Sequence, residues 1–146
     1  MKIGFIGAGK IGSTLARRYA AAGNSVTIAN SRGPDSIRKL AEEIGAKAGT
    51  VDEAVANADV VIVSIPQKNI PKLPPRLFVD ASDNLVVVET GNYMPHRDPR
   101  IDAIEDGMVE SVWVHQQLGR PVIKAFNSIM AESLQNHSMP AGTPGR

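Results

Sequence analysis

The chain has 146 residues, 42% of them apolar and only 4% aromatic, enough for an aliphatic core and most simply accommodated in one domain. Its 16 basic and 15 acidic residues leave no charge surplus that would favour nucleic acid or an anionic membrane as a partner. Cysteine is absent, which excludes disulfides, thiol nucleophiles and thiolate metal sites.

A short apolar strand, Lys2 to Ile6, runs into Gly7-Ala8-Gly9-Lys10-Ile11-Gly12, and a helical pattern follows from Ser13 to Ala22. Ile11, Leu15, Tyr19 and Ala22 fall on one helical face, and Gly23-Asn24 closes the helix. Val26 to Ala29 reads as a second strand. Asn30-Ser31-Arg32-Gly33 is the turn after it, and Pro34 opens a second helix that ends at Gly45. Ala46 to Gly49 reads as a short third strand. Thr50 and Glu53 form a capping box at the start of a brief helix. Val60 to Pro66 is the strongest buried strand. Between Gln67 and Asp83 prolines break the pattern, leaving one short amphipathic turn or helix. Leu85 to Val88 is the next strand, and Met94 to Arg100 is a loop. Ile101 to Leu118 is partly helical, with Ser111 as its expected cap. Pro121 to Phe126 is the last strand, Ser128 to Leu134 begins a helix, and Pro140 to Arg146 reads as a loop.

Strands alternating with helices predict an α/β fold: a doubly wound parallel sheet of the Rossmann NAD(P)-binding type. Ligands then sit beyond the carboxyl ends of the strands. No run approaches the ~20 apolar residues of a membrane span, and the N-terminus lacks a signal-peptide profile. The expectation is a soluble cytoplasmic protein with no membrane or nucleic-acid partner.

The glycine turn carries the first functional expectation. Gly7 makes the turn, Gly9 admits a pyrophosphate to the backbone, and Gly12 lets helix and strand pack closely. The turn, with Lys10 and Ile11 in it, leads into a helix whose first N–H groups have no intrahelical partner and form a ready anion site. The exit of the second strand selects the cofactor. An NAD site places Asp or Glu there, whereas this chain has Asn30, Ser31 and Arg32. A hydroxyl and a guanidinium suit a 2′-phosphate, with Arg38 as a further candidate. The competing reading has Ser31 capping the second helix and Arg32 solvated. Ser64-Ile65-Pro66 is expected to pass the nicotinamide ribose, or simply to terminate a strand. Gly91-Asn92-Tyr93 and Ala125-Phe126-Asn127 flank the nicotinamide, or are turns after strands with Phe126 in the core.

No catalytic constellation emerges. His96, His115 and His137 lack metal-ligand spacing, and His96 reads as a loop histidine near the cleft. Asp80, Asp83 and Glu89 lie near the cleft, but nothing pairs two of them for acid–base work.

GFIGAGKIG, ANSRGP, ADVVIVSIP, ETGNYMPHRD and GRPVIKAFNSI together resemble the NADPH-dependent 8-hydroxy-5-deazaflavin reductases. They are similar too to the wider group of NADP oxidoreductases, including the cytoplasmic domain of the transmembrane ferric reductases. The resemblance implies NADP on Gly7 to Gly12, its 2′-phosphate on Ser31 and Arg32, and its nicotinamide near Ser64 to Pro66 and Ala125 to Asn127. It implies direct hydride transfer to a deazaflavin or flavin-like acceptor, with no side-chain acid or base. A homodimer is among the assemblies it suggests. Members of that family continue past the Pro140–Arg146 segment into elements that help build the acceptor pocket and the dimer. The expectation is therefore a dinucleotide-binding domain, 1–146, lacking the C-terminal part of the family. Two other functions compete: an imine reductase like pyrroline-5-carboxylate reductase, and a non-catalytic NADP-binding module.

Overall fold

The computed structural model describes residues 1–137, 139 and 142–144. β1 (Lys2–Ile6) lies at the middle of a six-stranded sheet with β2 (Ser25–Ala29), β3 (Lys47–Ala48), β4 (Val60–Val63), β5 (Val86–Glu89) and β6 (Ile123–Lys124). Their order is β3-β2-β1-β4-β5-β6, and every pair is parallel. The chain order reverses direction between β1 and β4, where Ile6 pairs with Val63. Such a switch point opens a crevice at the carboxyl ends of the strands, because the chain leaves the two neighbours towards opposite faces.

Side chains alternate between two cores, as the period of a strand requires. Ile3, Phe5 and Ile62 pack with α1 (Lys10–Ala21), α2 (Arg38–Ile44) and Leu134 of α6 (Ala131–Asn136). Ile6, Val61, Val63 and Val87 face the other way, onto Val55 of α3 (Val51–Val55), Ile70, and Trp113 and Val114 of α5 (Glu110–Leu118). α4 (Asp102–Glu105) adds Ala103 and Ile104 at the margin of that second core.

Gly4 shows how close the layers are. A Cβ built there would lie 1.7 Å from the Ala54 carbonyl oxygen of α3. Backbone cannot withdraw as a flexible side chain would. Gly4→Ala is therefore expected to undock α3 and cost about 3 kcal/mol, read as a lower urea midpoint. An unchanged midpoint would mean that α3 can shift.

Several expected boundaries move. α1 begins at Lys10 rather than Ser13, with Gly9 as its N-cap. The segment Pro34–Ile37 is a 3₁₀ turn, and α2 begins only at Arg38. Ser36 tightens that turn by donating to the Gly33 carbonyl at 2.8 Å. β4 ends at Val63, with one further ladder bond from Ser64 N–H to the Ile6 carbonyl at 2.8 Å. The expected Ser111 cap is not formed: α5 starts at Glu110, with Val109 as an N-cap that offers no side chain. β6 stops at Lys124 and α6 starts at Ala131, because Phe126 turns the chain with a φ of +64°. The Thr50–Glu53 capping box forms as read, with both reciprocal bonds present. The loop expected over Pro140–Arg146 falls largely outside the described residues.

Candidate functional site

Two cavities adjoin at the carboxyl edge of the sheet, sharing Gly9, Ser64, Ile65 and Pro66. The larger, of about 690 Å³, runs from Gly7 and Gly9 to Asn30, Ser31 and Arg32, with Val51, Asn69, Lys72, Leu73 and Pro74 opposite. The smaller, of about 460 Å³, runs from Lys10 and Ile11 past Thr90, Gly91 and Asn92 to Phe126 and Asn127. Among the described residues that line them, the charged side chains are Lys10, Arg32, Lys72 and Arg97, all cationic.

The three glycines of the turn have three different surroundings. Gly7 has a φ of +114°, and a Cβ on it would lie 2.2 Å from the Ser64 carbonyl oxygen. Gly12 is buried behind the turn, where a Cβ would meet the Gly7 carbonyl oxygen at 2.1 Å. Gly9 is different. Its φ of −75° and ψ of −175° suit any residue, and a Cβ there would meet nothing within 4 Å. Among the described residues no neighbour requires glycine at position 9, yet it borders both cavities. Beside it, α1 begins with no side-chain cap and no acidic residue in its first turn. Its first N–H groups and the positive end of its dipole are left to an anion.

At the β2 exit, Asn30 shapes the turn itself. Its Oδ1 accepts from Arg32 N–H at 3.0 Å, and its Nδ2 donates to Ser36 Oγ at 2.9 Å. Ser31 and Arg32 stand exposed at the cavity wall, without a side-chain hydrogen bond among the described residues. The competing role for Ser31, capping the second helix, is not realised: Gly33 precedes the 3₁₀ turn and Ile37 precedes α2. Arg38 does not join them. It pairs with Asp35, three residues back, and lines neither cavity.

Of the other expected residues, Ser64, Ile65, Pro66, Gly91, Asn92 and Asn127 line the cleft. Gly12 and Ala125 do not. Gly12 serves helix packing, and Ala125 donates its N–H to the Glu89 carbonyl at 3.1 Å. The Tyr93 ring leaves the cleft, its hydroxyl donating to Glu105 at 2.6 Å, a bond that lifts it above the ordinary tyrosine value. His96 is exposed in the 94–98 turn and lines neither cavity. Phe126 packs against the first core, as its structural reading has it, and also lines the smaller cavity.

The rim of the smaller cavity is more heavily braced than the sequence suggests. Asn92 Nδ2 donates to the Asn127 carbonyl at 2.7 Å, tying the β5 and β6 exits together. Thr90 Oγ1 donates to Ser64 Oγ at 3.0 Å, joining the β5 exit to the β4 exit. Arg97 donates to the Asn92 carbonyl and to Asp98, each at 2.6 Å. Behind the rim, Glu89 is 1% exposed and Lys124 bridges it to Glu110. Burial pulls the Lys124 ammonium down, but hydrogen bonds to Glu110 and Glu89 outweigh it and hold it above the ordinary lysine range. It stays charged through neutral pH. Glu89 is thus joined through Lys124 to Glu110, a carboxylate outside the Asp80, Asp83 and Glu89 set near the cleft. Its signal was a charge ending an apolar strand, in register with a lysine on the next, since Glu89 pairs with Lys124.

Asp98 gives a pH test of this brace. Burial raises its pKa, but hydrogen bonds from Arg97 and the Met94 N–H outweigh that and hold it below the usual carboxylate range. A depressed folded-state pKa contributes stability above the unfolded value of about 3.9, lost as the pH falls through the folded one. Asp98→Asn is expected to cost about 1–3 kcal/mol at pH 7, a deficit that narrows towards pH 3 in thermal melts. A deficit independent of pH would contradict it.

Comparison with known proteins follows the same outline. The family model described as NADP oxidoreductase, coenzyme F420-dependent, matches residues 2–93. The chain belongs to this family. Within the match lie Gly7 to Gly12, Asn30 to Arg32, Ser64 to Pro66, Gly91 and Asn92. A solved hypothetical protein from Sinorhizobium meliloti is 34% identical, with a TM-score of 0.72 over 92% of this chain and 65% of that one. A putative F420-dependent NADP reductase from Arthrobacter sp. is 19% identical, with a TM-score of 0.69 over 91% of this chain and 65% of that one. Glycerol-3-phosphate dehydrogenase of Saccharomyces cerevisiae shares the fold at 15% identity, with a TM-score of 0.68 over all of this chain and 50% of that one. The chain thus spans about 65% of the first two relatives. No curated protein matches it. Among the described residues no helix is long and apolar enough to cross a membrane.

Proposed function

We propose that this protein binds NADP(H) along the double cleft and passes hydride between its nicotinamide and a deazaflavin or flavin-like acceptor in the cytoplasm. The observation that carries the reading is Gly9, a glycine that no contact among the described residues requires, open to both cavities beside an uncapped helix start. A pyrophosphate fits that cradle because the α1 N–H groups donate to it and no acidic side chain lines either cavity among the described residues.

The other residues fit the rest of the cofactor. Ser31 and Arg32 offer a hydroxyl and a guanidinium to the 2′-phosphate, with Lys72 on the facing wall. Val51, Leu73 and Pro74 line an apolar stretch suited to the adenine. Ser64 presents its hydroxyl where the two cavities meet. Asn92 and Asn127 hold the walls of the smaller cavity, where an amide can recognise a carboxamide. Ile65, Pro66, Met94 and Phe126 give that cavity apolar surface against which a flat ring can pack. When bound, NADPH supplies the hydride itself. The chain's work is to orient the ring and leave one face to the acceptor.

The test is steady-state NADPH oxidation with 8-hydroxy-5-deazaflavin and with FMN as separate acceptors. Turnover with either supports the reading, and the faster one names the acceptor class. Tight NADPH binding without turnover on any acceptor would leave a binding module; turnover only with a cyclic imine would make the protein an imine reductase.

A further inference from the structure

One half-buried cation behind the smaller cavity has no task at the nicotinamide end. Lys124 lines neither cavity, yet its ammonium makes three short bonds behind the rim: to Glu110 at 2.7 Å, to the Gly91 carbonyl at 2.8 Å and to Glu89 at 2.9 Å. Each partner grips the same short segment. Glu89 Oε1 accepts from Gly91 N–H at 2.6 Å. Glu110 Oε1 accepts from Tyr93 N–H at 2.8 Å. The N–H and carbonyl of Gly91 and the N–H of Tyr93 are thus all tied to Lys124 or to a carboxylate that Lys124 holds. Between them sits Asn92, whose amide reaches across to Asn127.

We propose that Lys124 is the positioning residue of the nicotinamide end: through Glu89 and Glu110 it fixes the Gly91–Tyr93 rim, and with it the Asn92–Asn127 pair that walls the smaller cavity. The inference rests on the cofactor reading above and deepens it. The arrangement explains why charge is buried here. Glu89 is 1% exposed and Glu110 24%, so without the lysine two carboxylates would face each other behind the rim. It explains the β5–β6 register too, which sets Glu89 beside Lys124. It also explains the early start of α5, since Glu110 in its first turn reaches both the lysine and the rim. Gln67 completes the packing, its Nε2 donating to Glu89 at 3.2 Å.

The test separates the two ends of the cofactor. Adenosine 2′,5′-bisphosphate probes the adenosine end alone, and NADPH probes both. Affinities for each are measured by calorimetry in wild type, Lys124→Met, Glu110→Gln and Lys124→Arg, alongside melting temperatures. Wild type is expected to hold NADPH at least about tenfold tighter than the bisphosphate. In Lys124→Met and Glu110→Gln that advantage is expected to fall about tenfold, with bisphosphate affinity within about twofold of wild type. Lys124→Arg, which keeps the charge and the donors, is expected to retain most of it. Glu110→Gln removes the tie without stranding a buried charge, so it decides the matter if Lys124→Met does not fold. An unchanged advantage in these variants, or equal loss of both ligands, overturns the proposal and leaves the cofactor reading standing. A wild type that binds neither ligand overturns that reading and this one with it.

Discussion

Gly9→Ala is expected to fold as well as wild type, or slightly better, and to bind NADPH about 100-fold more weakly, equivalent to about 2.7 kcal/mol. The stability side follows from the backbone. At a φ of −75° and ψ of −175° alanine is unstrained, and its methyl would touch nothing within 4 Å. Such a substitution reduces the freedom of the unfolded chain and gains about 0.4–1 kcal/mol. The binding side follows from the open space. That methyl would project beside the start of α1, where a pyrophosphate must approach the backbone N–H groups. Gly12→Ala, three residues on, is expected to behave oppositely. Its methyl would press on the Gly7 carbonyl oxygen at 2.1 Å, so the apo protein itself should melt lower. Melting curves with and without NADPH distinguish the pair. A Gly9→Ala protein that binds like wild type would remove the main support for a pyrophosphate in the turn.

Arg32→Ala is expected to weaken NADPH about 10- to 150-fold, the range of a lost charged hydrogen bond at about 1.5–3 kcal/mol. NADH, which lacks the 2′-phosphate, should change by less than about threefold. The preference for NADPH then largely disappears. Arg32 matters because it is available: it stands exposed at the cavity wall, and Asn30 and Ser36 do the structural work of the turn. Arg38 provides the internal control, since its guanidinium is paired with Asp35 and lines neither cavity. Arg38→Ala should leave both affinities within about twofold of wild type. NADPH fluorescence titrations measure all of these. A preference undiminished in Arg32→Ala, or one lost in Arg38→Ala, would assign the phosphate elsewhere.

Local chemistry made much of this legible. A strand, a glycine turn and a helix are contiguous in sequence, so Gly7, Gly9 and Gly12 announced their arrangement before any tertiary contact was known. The capping box was legible because Thr50 and Glu53 lie within one turn. Apolar runs ended by polar residues gave the strand exits and hence the cleft. What was hidden depends on relations across the sheet. Glu89, Lys124 and Glu110 meet only because β5 and β6 pair in one particular register. Glu110, in the first turn of α5, joins that tie. Side-chain direction was equally hidden: Tyr93 turns to Glu105 while its neighbour Asn92 faces the cleft. The left-handed Phe126, with a φ of +64°, shortens β6 and swings Asn127 towards Asn92, and no local rule favours an aromatic residue there.

A crystal structure of the protein with NADP is expected to show the pyrophosphate on Gly9 at the start of α1, the 2′-phosphate against Ser31 and Arg32, and the nicotinamide between Asn92 and Asn127. NADP bound outside this cleft, or with its 2′-phosphate away from Arg32, would contradict that placement.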